Sequence, residues 1–244
     1  IVRPGAQEAR VEGRFIDGDS EVVLTRVIPL DGRSRAYVKG RLATIANLAE
    51  GFVNHPENKN LRDLIAANTF NTDEYYKQML RIIYRVLYLF VIEERNLVYA
   101  ESKEKETKRF NQIYFKHYSL LRLRKLAKRI APPDAAHNYD LLMSLVNTFA
   151  LFEKSETGKK MGLMALQGDL FNYNAIASNQ YDLHDSHLAN DVLFKAIKAL
   201  GYFETDKQVL IAVNYGGLDV EEFGSVYEGL LELKIIAWFL KYRI

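Results

Sequence analysis

Cysteine is absent from the sequence. That excludes disulfides, thiolate zinc sites and a cysteine nucleophile at once. It agrees with a reducing compartment, and a cytoplasmic location is the expectation. Long apolar runs are also absent. The most apolar stretch, Ile82 to Ile92, is interrupted by Arg85 and bounded by Arg81, Glu93 and Glu94. A membrane-spanning helix needs about 20 consecutive apolar residues. The run therefore predicts a buried core helix and no membrane partner. The opening IVRPGAQEAR is polar and charged and lacks the apolar core of a signal peptide. An excess of charge of one sign is missing as well: 33 Lys and Arg stand against 31 Asp and Glu, a formal net charge of +2. This argues against a protein that coats nucleic acid by overall charge. Phosphate-binding glycine loops are lacking too. No G-x-G-x-x-G occurs, and Thr157-Gly158-Lys159-Lys160 lacks both the earlier glycine and the Ser or Thr that would touch Mg²⁺.

What is present suffices for a sizeable core, since 48% of the residues are hydrophobic. A chain of 244 residues accommodates one large domain or two small ones. Its character changes near residue 52. Before that point EVVLTRVIPL (21–30) is rich in β-branched residues, and AYVKGRLAT (36–44) and VEGRFID (11–17) are further short candidates. Asp31-Gly32-Arg33-Ser34 and Asp17-Gly18-Asp19-Ser20 supply turn chemistry. Pro29 marks an edge or a bend. These features predict an antiparallel β meander over 1–51, with one or two helical turns at 44–50.

From Asn60 the period becomes helical. Asn71 or Thr72 caps a helix with acids in its first turn, expected to run from Asp73 to about Arg95. Met79, Ile82, Ile83, Val86, Leu87, Phe90 and Val91 make a broad apolar stripe, with Tyr84, Tyr88 and Leu89 on the other side, so this helix is central. The charged run 103–108 reads as loop. Further helices are expected from Ser119 to before Ala131-Pro132-Pro133, from about Tyr139 to Phe152, from His187 to Leu200, and from Asp219 toward Leu233. Residues 162–174 show no clear period and read as loop. The fold class is thus mainly α: a helical domain over 52–233 with a small N-terminal β segment, α+β overall, and an unassigned tail over 234–244.

One helix points to a partner. From Thr107 to Ile130 there is no acidic residue, against eight Lys and Arg. On a helical wheel Leu120, Leu123, Leu126, Ala127 and Ile130 fall on one side, and Arg122, Arg124, Lys125, Lys128 and Arg129 on the remaining arc. One face can bury while the other meets DNA phosphates. Those five, with Lys116 just upstream, are the candidate DNA-binding residues. A plain solvated face and a membrane-surface role are the competing readings of the same pattern.

Other chemistry-bearing residues are sparse. His184 and His187 sit in D-L-H-D-S-H, where a spacing of three places two imidazoles on one face of a helix as a possible zinc pair. Asp185 or Ser186 as a helix cap is the competing reading. His55, His117 and His137 are isolated and read as structural. Glu101-x-Lys103, Glu106-x-Lys108 and Glu232-x-Lys234 have the spacing of a metal-dependent nuclease pair, but none lies on an obvious strand with an upstream Asp. Ala131-Pro132-Pro133-Asp134 lacks the polar acceptor and the stacking aromatic that an amino-methyltransferase needs, and reads as a helix stop. No catalytic, cofactor-binding or metal residue is assigned.

Two parts of the chain resemble known families. IIYRVLYLFVIEER (82–95), YSLLRLRKLA (118–127), ALQGDLF (165–171), LANDVLFKAIKAL (188–200) and VNYGGLDVEEFGSVYEGLLEL (213–233) resemble, in order and spacing over about 61–233, the helical region preceding the catalytic domain of large adenine-specific DNA methyltransferases of restriction-modification and phage-defence systems. The resemblance implies a scaffold that helps hold duplex DNA beside a neighbouring methyltransferase domain. S-adenosylmethionine is implied only for the full-length family, whose cofactor loop and Asn-Pro-Pro-Tyr motif are not among these residues. VRPGAQEARVEGRF (2–15) and EVVLTRVIPLDGRSRAYVKGRLATIANL (21–48) resemble part of the RecN-type DNA repair ATPases, without any Walker motif. A fragment of such an ATPase, or a protein-interaction module without DNA binding, are the alternative functions.

Overall fold

The computed structural model describes residues 8–17, 20–29, 35–38, 40–101, 103–129, 140–166, 168–204 and 209–217, and of 8–43, 155 and 203–204 the backbone alone. The described structure is mainly helical. It divides into two compact units, one formed by Asn47–Lys198 and the other by Ile1–Ala46 with Ala199–Ile244.

In the second of these units strand β1 (Glu8–Asp17) pairs antiparallel with β2 (Ser20–Pro29), and β2 with β3 (Arg35–Val38). Helix α1 (Gly40–Asn54) follows, and from Asn47 onward it belongs to the helical unit. Residues 40–51 are therefore helix, where 36–44 had been expected as strand and only 44–50 as a turn or two. Ile45, Leu48, Ala49 and Phe52 are buried at helical spacing, which explains the longer helix. A short hairpin pairs β4 (Tyr202–Glu204) with β5 (Leu210–Ala212), in a stretch where the sequence pattern predicts no element. After β5 the Val213 N–H donates to Gly201 O (3.0 Å), and the Tyr215 hydroxyl donates to Leu200 O (2.6 Å). The expected helix from Asp219 and the tail 234–244 lie outside the described residues.

The helical unit is organised by α3 (Thr72–Glu94), the central helix the apolar stripe predicts. Asn71 caps it, its side chain accepting from Glu74 N–H at 3.1 Å, while Asp73 and Glu74 place negative charge at the positive end of the helix dipole. From Gln78 to Glu93 nearly every side chain is buried. No helix among the described residues is long and apolar enough to cross a membrane. The Tyr75 hydroxyl donates to Ala49 O in α1 (2.8 Å). Short α2 (Lys59–Ala66) lies between α1 and α3 in sequence and buries Leu61.

After α3 in sequence come α4 (Lys105–His117), α5 (Leu120–Arg129), α6 (Asp140–Glu153) and the single turn α7 (Ser155–Lys159). Helix α4 takes in most of the charged run 103–108 expected as loop. It forms because Phe110 and Tyr114 continue a helical spacing from that run, and Tyr114 is fully buried. Helix α8 (Asn190–Gly201) starts at Asn190 rather than His187, and the Asn190 side chain accepts from Leu141 N–H (2.9 Å) and donates to Asp140 (2.7 Å) at the start of α6. Gly51 of α1 permits close approach to this region. A Cβ there would stand 2.8 Å from side-chain atoms of Leu188 and Val192.

Between α7 and α8 runs an irregular strap, residues 168–188. It was expected as loop as far as 174, yet it contains 3-10 turns at Asp169–Phe171 and Tyr173–Ile176. Phe171, Ile176, Tyr181 and Leu183 are buried, so the strap is part of the core rather than a surface connection.

Replacing the α3 cap should be measurable. Asn71→Ala is expected to lower unfolding stability by about 1 kcal/mol, read by chemical denaturation with an unchanged m-value.

Candidate functional site

The basic stretch folds as a helical corner. Helix α4 ends at His117, and Ser119 caps α5, its hydroxyl accepting from Arg122 N–H at 3.2 Å. Two consecutive acids in the last turn of α3 hold this corner. The buried Glu93 carboxylate accepts from Leu120 N–H (2.8 Å), Leu121 N–H (2.8 Å) and the Tyr114 hydroxyl (2.8 Å). It thereby supplies acceptors to the otherwise orphan amides at the start of α5. Glu94 pairs with Arg124 at 2.7 Å, with both side chains largely buried, and the Arg124 guanidinium lies 5.2 Å from the Phe90 ring centroid.

The six predicted DNA-contact residues thus separate. Lys116, Lys125, Lys128 and Arg129 are exposed. Arg122 is half-buried, its guanidinium 3.5 Å from His117 O. Arg124 is turned inward to Glu94 and Phe90, with its charge matched inside the protein. Leu120, Leu123 and Ala127 form the buried side, and Lys125 stands opposite them on the wheel. Arg122, Lys125 and Arg129 recur at spacings of three and four and share one face. At 1.5 Å per residue they span about 10 Å of helix axis.

A second polar cluster lies inside the unit. Arg85 of α3 is fully buried. Its Nε–H donates to Leu170 O (2.8 Å), one terminal nitrogen donates to Asn172 O (2.8 Å), and the other pairs with Glu153 Oε1. The guanidinium also faces the Phe149 and Phe171 rings at 5.2 and 5.4 Å. Burial pulls the Arg85 guanidinium below its usual value, partly opposed by Glu153. His184 Nε2 lies 3.2 Å from the same Glu153 oxygen, and its Nδ1 lies 2.6 Å from Asp182 Oδ1. Sequence reasoning missed Arg85 and Glu153. The available signal was a charged residue within the apolar stripe of a core helix, which demands a buried partner.

The other sequence readings resolve locally. His184 and His187 precede α8, so they do not share a helical face. The His184 ring stacks on Tyr173 (4.1 Å), and the His187 ring stacks on His55 (5.5 Å). Among the described residues no group of three or more His, Cys, Asp or Glu could hold a metal ion. Neither Asp185 nor Ser186 caps α8. The Ser186 hydroxyl donates instead to Asp182 O (2.8 Å). His117 is exposed, and His55 is held below the ordinary histidine value by burial and by His187. Glu106 and Lys108 lie on helix α4, not on a strand, so that pair lacks the nuclease arrangement. His137, the Ala131–Asp134 segment and the Glu232–Lys234 pair lie outside the described residues.

No protein-family model matches the chain, and neither does any curated protein or solved structure.

Glu93 yields a pH prediction. Burial lifts its carboxyl from the ordinary 4.5 to about 7, against the opposing pull of the Leu121 and Leu120 amides, the Tyr114 hydroxyl and Arg124. The folded value lies above the unfolded one, so this group's contribution to stability is full below 4.5 and is lost as pH rises through about 7. The stability of the wild type relative to Glu93→Gln should therefore fall between pH 5 and pH 8, by on the order of 2 kcal/mol, in denaturation series at each pH.

Proposed function

We propose that this chain is a noncatalytic helical scaffold that contacts duplex DNA, within an adenine-specific DNA methyltransferase of a restriction-modification or defence system. On this reading the N-terminal β meander is a small appendage to the helical domain, and the protein works in the cytoplasm beside a methyltransferase domain. The observation that carries the DNA contact is the anchored cationic face: Lys125, Lys128 and Arg129 exposed, Arg122 half-exposed, and Lys116 nearby, in a stretch without acidic residues. Phosphates along one DNA strand repeat every 3.4 Å of helix axis, so the span of about 10 Å from Arg122 to Arg129 matches about three of them. The contacts would be to the backbone, giving position without base specificity. The methyltransferase assignment rests on the sequence resemblance of 61–233. The glycine loop and Asn-Pro-Pro-Tyr motif of such enzymes do not occur in this sequence, so no methyl-transfer step is assigned to its residues.

Fluorescence anisotropy against a duplex of about two helical turns, across a salt series, tests the contact. The logarithm of the binding constant should fall linearly with the logarithm of salt concentration. Arg122→Glu with Lys125→Glu should weaken binding and reduce the magnitude of that slope by about 2. Arg124→Ala should lower stability but leave the slope unchanged, because its charge is already matched by Glu94. An unchanged slope after the double charge reversal rejects the contact model. Absence of duplex affinity, together with salt-insensitive binding to a protein partner, would favour an interaction module instead.

A further inference from the structure

Both ring nitrogens of His184 face carboxylate oxygens: Nδ1 faces Asp182 Oδ1 at 2.6 Å, and Nε2 faces Glu153 Oε1 at 3.2 Å. An ionised carboxylate only accepts, whereas a neutral imidazole has one N–H and one bare lone pair. The ring can satisfy both neighbours only with a proton on each nitrogen. The charges around it agree. Arg85 of α3 shares Glu153 Oε1, so an imidazolium gives two cations against two carboxylates. A neutral ring would leave Arg85 as the cation bonded to Glu153, with Arg81 of the same helix acting on Arg85. The flat face of His184 stacks on Tyr173, whose hydroxyl donates to Asp182 Oδ2 at 3.0 Å, and the Lys154 ammonium lies 4.1 Å from the Tyr173 centroid. Asp185 adds a further negative charge near Tyr173.

We propose that His184 is held as an imidazolium and serves as a proton-dependent latch that ties the strap 168–188 to α6. Glu153 belongs to α6, and His184, Asp182 and Tyr173 belong to the strap. Loss of the Nε2 proton turns a hydrogen bond into a lone pair facing a carboxylate, and so breaks the bond from His184 to Glu153 of α6. The direction of titration agrees. Burial pulls His184 down, but its hydrogen bonds to Glu153 and Asp182, with their charges, outweigh that and hold it above the ordinary 6.5. Burial likewise raises Asp182, and the bonds from His184 and Tyr173 reverse this and leave it below its ordinary value. A raised histidine stabilises the closed strap below pH 6.5, and that contribution is lost as pH rises through the folded midpoint. A depressed aspartate acts oppositely and fails only in acid. The latch is therefore closed at mildly acid to neutral pH and released on the alkaline side.

Histidine-ring ¹⁵N NMR of the full chain tests this, combined with amide hydrogen exchange normalised for intrinsic rate. At pH 6 both nitrogens of His184 should carry protons, and the ring should titrate above 6.5. The protection of the Leu183 and Ser178 amides, which bond to Ile176 O and Tyr181 O, should fall through the same midpoint. The expected loss is about tenfold for each pH unit separating that midpoint from 6.5. Amides of Ile83 and Leu87 in α3 should not follow it. Asp182→Asn should shift the ring midpoint and the loss of protection together to lower pH. The wild-type titration decides even if that variant fails to fold. One result would place the proton on Glu153, whose Oε2 is buried without a hydrogen-bond partner among the described residues, and leave His184 with a bare Nε2 at pH 6. That result overturns the latch, as does a midpoint at or below 6.5, or strap protection that stays constant across the midpoint.

Discussion

A guanidinium in the middle of a core helix is the constraint around which the helical unit is arranged. Arg85 cannot reach water, so its nitrogens must find acceptors within the fold. Two strap carbonyls, Leu170 O and Asn172 O, and the Glu153 carboxylate give each of the three nitrogens one acceptor. The requirement fixes where the strap crosses α3 and where the end of α6 must lie. It also explains why an irregular segment is buried at all. Its carbonyls are used where a helix or strand would have spent them on its own ladder. Removing one member of a buried ion pair commonly costs about 3–5 kcal/mol, while replacing a whole pair with apolar groups can be neutral. We read the cluster accordingly as a device for specifying one arrangement of α3, α6 and the strap, not as a net source of stability.

The same logic operates at the far end of α3, with the signs reversed. Glu93 and Glu94 are acids at the end of an apolar helix, and each finds its partner in α5: backbone amides for Glu93, the Arg124 guanidinium for Glu94. These bonds seat the first turns of the basic helix. They withdraw one cation from the surface and leave the others outward. If the outward face meets phosphate, as proposed, its geometry is set by two carboxylates that touch no ligand. Arrangement of this kind, in which interior charges position exterior ones, is how a rigid element gives a weak electrostatic contact a defined direction.

The central helix, its capped start at Asn71 or Thr72, the helices near α5, α6 and α8, and the mainly helical character were legible in the sequence, because each depends on local spacing of apolar residues and on local capping chemistry. The start of α4 was not, since a run of alternating Lys and Glu looks the same on a solvated helix as in a loop, and only burial of Tyr114 separates them. The histidine pair shows the opposite failure. A spacing of three is a helical signature only if the segment is helical, and tertiary demands on residues 168–188 made it a strap.

What the amino-acid sequence determined by itself was short-range: period, caps, the absence of cysteine and of phosphate loops, and the presence of an acid-free basic stretch. Tertiary structure alone decided which charges are spent inside. Arg124 and Lys125 are neighbours of the same sign with opposite fates, one against Glu94 and Phe90, the other in solvent. The difference comes from an acid 30 residues earlier in the chain for one of them. Pairing across such separations is governed by how helices pack, and no local pattern encodes it.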